Sequence, residues 1–245
     1  MTGSQENSVA SADGFGTTAW SLVLAAGKPE DGGQALERLC RKHWRPIYVF
    51  VRGSGVGAAD AEDVTQDFFV YLLRKEWIKQ ADPTRGSFRA FLLTLLRNFL
   101  ANHRRRDQAE KRGAGTESLS IDAAEGEREF AALAAAGPDP ARSYEAAWAN
   151  GVLQAAWSRL RAEEVSAGKA GRFEALRPFV TSAPGPGEYE RLSQQLGMRR
   201  GQVALLIHRM SRRYAELVRA EVADTLADRS ELEGELRHLL AVSSS

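Results

Sequence analysis

Apolar side chains recur at intervals of three and four residues along most of this chain, which is the spacing of an amphipathic α-helix. The clearest case is the stretch FRAFLLTLLRNFLANHRRR, residues 88–106. Ser87 precedes this stretch and is expected to cap the helix. The buried side is expected to consist of large apolar residues: Phe88, Phe91, Leu92, Leu95, Leu96, Phe99 and Leu100. Strand-like alternation of apolar and polar residues is nearly absent, so the pattern predicts an all-α protein.

The helical pattern falls into two blocks. Between them, the chain is rich in alanine, glycine and glutamate and lacks a sustained apolar stripe, which is typical of a flexible linker. The predicted organisation is a disordered N-terminus, a first small helical domain, the linker, a second small helical domain and a C-terminal extension. These parts cover residues 1–18, 19–113, 114–141, 142–226 and 227–245, respectively. The extension is predicted either to pack on the second domain or to bind a regulator.

Charge is strongly segregated, although the formal net charge of the 245 residues is only +1. Residues 85–112 contain eight lysines and arginines against two acids, and residues 198–219 contain six arginines against one acid. Residues 60–67 carry four acids and no base. Opposite charges on separate segments favour different partners for different surfaces.

The acidic segment DAEDVTQDFFVYLL, residues 60–73, is expected to form a helix with Val64, Phe68 and Leu72 on its buried side. Its clustered carboxylates leave three alternatives: a metal site, a solvated helix face or a docking surface for a basic partner. The segment contains no histidine, and the glycine of a calcium-binding loop is missing, so a metal site is the weakest of the three.

The second block contains EYERLSQQLGMRRGQVALLIHRM, residues 188–210, in which a short helix meets a glycine-containing turn and a second helix follows at once. This spacing is typical of a helix-turn-helix, whose second helix enters the major groove of DNA. The alternative is an ordinary helical hairpin with a solvated basic face.

Other features limit the classes of function. Cys40 is the only cysteine, so an intrachain disulfide and a cysteine-based zinc site are excluded. The first residues lack the basic and apolar parts of a signal peptide, and no apolar run is long enough for a membrane span. These features predict a cytoplasmic protein without membrane attachment.

Together, three segments in this order resemble the bacterial RNA polymerase sigma-70 family, and within it the compact extracytoplasmic-function (ECF) group. Residues 60–73 are similar to region 2.2, residues 82–106 are similar to regions 2.3 and 2.4, and residues 189–210 are similar to region 4.2. The resemblance covers roughly residues 34–112 and 142–220.

The resemblance implies a sigma factor without a catalytic site, a cofactor or a metal ion. Its implied partners are core RNA polymerase and the −10 and −35 elements of promoter DNA, with an anti-sigma factor or another regulator left open. The implied contacts with core polymerase are Asp60, Asp63, Gln66 and Asp67. Those with the −10 element are Arg85, Arg89, Arg97, Asn98, Asn102, Arg104, Arg105 and Arg106. Those with the −35 element are Arg199, Arg200, Gln202, His208, Arg209, Arg212 and Arg213.

One departure from the family pattern lies in the middle of the predicted recognition helix. Many members carry polar or basic residues there, whereas this chain has Ala204, Leu205 and Leu206. Two other interpretations compete with a sigma factor. A helix-turn-helix regulator that never joins polymerase would leave the acids of residues 60–67 without a role. A metal-dependent nuclease or phosphotransferase would need a phosphate-binding loop or paired histidines, and the sequence offers neither.

Overall fold

The computed structural model describes residues 32–73, 87–107, 122–134, 137, 139–226 and 229–243. Over these residues the chain forms α-helices, two short 3₁₀ segments and connecting turns, without a strand, which confirms the all-α prediction. The helices are α1 (Gly32–Gly53), α2 (Ala58–Leu73), α3 (Phe88–Asp107), α4 (Ala123–Ala134), α5 (Pro140–Ser166), α6 (Ala170–Leu176), α7 (Glu188–Leu196), α8 (Arg200–Ala223) and α9 (Leu232–Ser243). None of these helices is long and apolar enough to cross a membrane.

Helices α1, α2 and α3 enclose a first apolar core. The predicted buried face of α3 is confirmed, with Phe91 half-buried and the other six residues buried. Phe68 of α2 packs edge-to-face on Phe99 of α3, with the ring centroids 5.5 Å apart. The Ser87 Oγ accepts a hydrogen bond from the Ala90 N–H, so the predicted cap of α3 is also confirmed. These contacts fix α2 against α3 and set which sides of the two helices face outward.

A second apolar core lies among α5, α6, α7, α8 and α9. The extension contributes α9, whose Leu239 is buried in this core. Of the two alternatives for the extension, the structure therefore shows packing on the second block of helices.

Helix α5 runs between the two cores. Its start is set by Asp139, whose side chain accepts a hydrogen bond from the Ala141 N–H, and by Pro140 in the first turn. Tyr144 is buried in the first core, and Trp148, one turn later, is buried in the second. One continuous helix thus belongs to both cores.

The flexible linker predicted for residues 114–141 is wrong for residues 123–134, which form α4. This helix packs on α1 through polar contacts and a glycine rather than through an apolar stripe. Tyr48 donates a hydrogen bond to Glu127 at 2.7 Å, and Arg52 pairs with the same carboxylate. Gly126 lies against the Tyr48 ring, where a Cβ would come within 2.7 Å of Cδ1. The predicted disordered N-terminus lies outside the described residues, and the predicted domain bounds stay predictions.

Candidate polymerase and nucleic-acid interfaces

The acidic face belongs to α2 and points away from the first core. Asp60, Asp63 and Asp67 are exposed, while Gln66 is half-buried and donates a hydrogen bond to Glu62 at 3.2 Å. On the opposite side of the helix, Val64, Phe68 and Leu72 are buried as predicted. The apolar side holds α2 in place, so its carboxylates are presented on a rigid element.

Among the residues that the structure describes, no three His, Cys, Asp or Glu side chains are grouped so that they could hold a metal ion. The carboxylates of α2 give the exposed side of this helix a negative charge.

The basic face of α3 is the exposed side of the helix whose other side fills the first core. Four of the implied −10 contacts are exposed on it: Arg97, Asn98, Asn102 and Arg105. A guanidinium group on a rigid helix can neutralise a phosphate, and the asparagines can donate to phosphates or to base edges. Of the other predicted −10 contacts, Arg85 and the side chains of Arg104 and Arg106 lie outside what the structure describes.

Arg89 is the exception among the implied −10 contacts that the structure describes, because it is buried against other helices. Its guanidinium pairs with Glu145 of α5 and, at 3.1 Å, with Glu235 of α9, and only 9% of its side chain is exposed. It also lies 4.8 Å from the centre of the Trp148 ring. Arg89 is in the first turn of α3, on the side that faces α5 and α9, where two carboxylates and an aromatic ring stabilise the cation.

We call Arg89, Glu145, Trp148, Glu235 and His238 the Arg89 cluster. His238 joins it through a contact of 3.0 Å between its Nε2 and the Glu145 carboxylate. No spacing signal in the sequence could have found this cluster, because Glu145 and Glu235 lie 56 and 146 residues from Arg89.

Helices α7 and α8 form a tight pair. Gly197 ends α7 with a φ of 63°, a conformation that favours glycine, and its N–H bonds back to Ser193 and Gln194. The Met198 N–H also bonds to the Ser193 carbonyl, at 3.0 Å. Leu192, Val203 and Ile207 are buried between the helices, so the short turn and the shared core fix the angle at which α8 leaves α7.

The basic face of α8 is exposed along most of its length. The predicted −35 contacts on it are all exposed: Arg199, Arg200, Gln202, His208, Arg209, Arg212 and Arg213. Three of these arginines already have carboxylate partners. Arg200 pairs with Glu190 at 3.2 Å, and Arg212 pairs with Glu216 at 3.3 Å.

Arg213 makes the shortest of these pairs, with 2.7 Å between its Nη2 and the Glu163 carboxylate. Hydrogen bonds from Arg213 lower the pKa of Glu163, because they favour its charged form. The side chains of His208 and Arg209, in contrast, make no hydrogen bond or ion pair with the residues that the structure describes, so they need not leave a partner to reach a ligand.

Residues 39–110 match the family model described as Sigma-70 region 2. The matched segment runs from α1 through α3 and so contains both the acidic face of α2 and the basic face of α3. The match covers less than a third of the chain, and over this segment the chain is similar to sigma-70 family sigma factors. Comparisons with curated proteins and with solved structures find no match.

Proposed function

We propose that this chain is an RNA polymerase sigma factor of the ECF type, which binds core polymerase and directs it to promoters. The observation that carries the proposal is the coincidence of the Sigma-70 region 2 match with two rigid faces of opposite charge. One face is acidic, on α2, and the other is basic, on α3. A protein that must hold a basic protein partner and DNA at once needs such a separation, since one mixed surface would serve neither.

Core polymerase docks on the acidic face of α2, with Asp63 and Asp67 as the central contacts. Both carboxylates are exposed and lie one turn apart on the same side of the helix. Phe68 and Leu72 are buried, so they support this surface from inside and do not contact the partner.

Promoter DNA contacts the two basic faces. The −10 element lies on α3, where Arg97 and Arg105 neutralise phosphates and the two asparagines reach bases. The −35 element lies on α8, which enters the major groove as the second helix of a helix-turn-helix formed with α7. The ECF resemblance implies this organisation: region 2 is built around the first core, and the pair of α7 and α8 is built around the second. Such a factor acts in the cytoplasm.

Capture of purified bacterial core RNA polymerase by the tagged full chain tests the proposal. We expect stoichiometric capture by the wild type and loss of capture by the Asp63→Lys, Asp67→Lys double variant. The matched control is Glu174→Lys, Glu231→Lys, which makes the same charge change at two exposed carboxylates away from α2. Circular dichroism verifies that both variants keep the helical fold.

Two outcomes contradict the proposal in different ways. If both double variants capture polymerase as well as the wild type, the acidic face of α2 is not the docking surface. If the wild type captures no polymerase but still binds specific DNA, the chain is a DNA-binding regulator that acts without joining the enzyme.

A further inference from the structure

Leu205 occupies an unusual position on α8. The residue is 48% exposed, and besides it only Val165 and Leu240 are exposed among the large apolar residues that the structure describes. Leu206 and Ile207, the next two residues, pack into the second core. The core between α7 and α8 is therefore closed without Leu205, which points away from it.

The neighbours of Leu205 on the exposed side of α8 are polar. Gln202 lies one turn before it, and His208 and Arg209 lie one turn after it, so the four side chains follow one line at helical spacing. The Gln202 Oε1 accepts a hydrogen bond from the Arg199 backbone N–H at 2.9 Å, which holds this amide at the start of the helix. Its amide NH₂ has no partner among the described residues, and neither have the side chains of His208 and Arg209 on the same exposed side.

A leucine in the middle of this line cannot recognise a base by hydrogen bonding. In the major groove, the four base pairs present donors, acceptors and a single apolar group, which is the C5-methyl of thymine. We propose that Leu205 is a specificity-determining residue that contacts the C5-methyl of a thymine in the major groove. This inference rests on the proposed function of α8 in DNA binding and adds the base that the centre of the helix selects.

The contact has a physical advantage at this position. Leaving a leucine exposed on a charged helix face keeps apolar surface in water, and burying it against a methyl group removes that surface together with the surface of the methyl. The flanking Gln202 and Arg209 hold the helix in register by polar contacts, so the methyl contact adds selection rather than general affinity. A cytosine at the same position has no methyl, and its N4 donor would face an apolar side chain that cannot accept it.

Deoxyuridine provides the test, because it differs from thymidine only by the absence of the C5-methyl. Duplex DNA is selected from a random library by the full chain, with and without core polymerase, and each thymine of the selected sequence is then replaced singly by deoxyuridine. We expect one or two positions at which the wild type loses about three- to tenfold in affinity, as befits one lost methyl contact. Leu205→Ala should bind the thymine DNA more weakly by a similar factor and should not distinguish thymine from deoxyuridine at those positions.

Leu240→Ala is the matched control, since it makes the same change at another exposed leucine, on α9, and should keep the wild-type pattern of deoxyuridine effects. If Leu205→Ala shows the same deoxyuridine losses as the wild type, or an equal loss on every DNA, the inference is wrong while DNA recognition by α8 stands. If no sequence is selected at all, DNA recognition itself fails, and the role of Leu205 fails with it.

Discussion

His43 is a buried ionisable residue in the first core. Its side chain packs edge-to-face against Phe88, with ring centroids 5.1 Å apart, and 2% of the residue is exposed. Neither ring nitrogen has a hydrogen-bond partner among the residues that the structure describes. Burial, and to a lesser degree the charge of Lys42, lower the pKa of His43 to about 3. The ring is therefore neutral in the folded protein throughout the physiological pH range.

This pKa makes the stability of the chain depend on pH. In the unfolded chain the imidazole recovers its ordinary pKa of 6.5, so between pH 6.5 and about pH 3 the unfolded state binds a proton that the folded state does not. Stability therefore falls as the pH is lowered through this range. We expect wild type to lose roughly 1.4 kcal/mol more per pH unit than His43→Leu between about pH 6 and pH 4. Urea unfolding followed by circular dichroism at several pH values measures this difference.

His208→Ala, which changes an exposed histidine, should keep the pH dependence of the wild type. Parallel stability curves for the wild type and His43→Leu would show that His43 is not responsible for the effect.

At the scale of the helices, the sequence predicted best those elements that bury an apolar stripe. Helices α2, α3, α7 and α8 lie close to their predicted positions, because each buries side chains at intervals of three and four residues. Helix α4 was missed because its contact with α1 depends on ion pairs and on the small size of Gly126, which leave no periodic apolar signal. Of the charged residues named for the candidate interfaces whose side chains the structure describes, all are exposed except Arg89, whose partners are distant in sequence. Their contacts with polymerase and DNA stay predictions.

Gly126 allows a direct test of how α4 packs. A Cβ at this position would lie 2.7 Å from Cδ1 and 3.0 Å from Cε1 of Tyr48, so the ring or the whole helix must shift. We expect Gly126→Ala to lower the free energy of unfolding by about 1–3 kcal/mol, because this overpacking exceeds the gain in helix propensity. Chemical denaturation measures the change.

Gly151 is the matched control, since it lies inside α5 and a Cβ there would meet nothing within 4 Å. Gly151→Ala should therefore stabilise the chain by about 0.5–1 kcal/mol through helix propensity alone. If both alanine variants stabilise the chain, α4 is not packed tightly on α1.

At the scale of the whole molecule, the Arg89 cluster connects the helix that carries the basic face of the first core with α5 and α9. Lys42 of α1 adds a second connection, to Glu221 of α8 at 3.4 Å. In this arrangement Arg89 cannot reach a phosphate, whereas Arg97 and Arg105 can. Arg89 can therefore contact promoter DNA only if Glu145 of α5 and Glu235 of α9 release its guanidinium. The free energy needed to break these contacts then weakens the binding of DNA.

Weakening the cluster should thus have opposite effects on stability and on DNA affinity. Glu235→Gln removes one of the two carboxylate charges that hold Arg89. We expect a loss of about 1–3 kcal/mol in the free energy of unfolding, because the guanidinium stays buried with one charged partner.

If Arg89 contacts DNA after release, the same variant should bind a selected promoter about two- to fivefold more tightly, since less of the binding energy is used to open the cluster. Chemical denaturation and DNA titration measure the two effects. Glu233→Gln is the control, since Glu233 lies two residues away on the same helix with 64% of its side chain exposed. It removes the same charge but only an exposed ion pair with Arg219, so it should change stability little and leave DNA affinity unchanged. Lower stability with unchanged DNA affinity would show that Arg89 is a structural residue and that the −10 contacts lie further along α3.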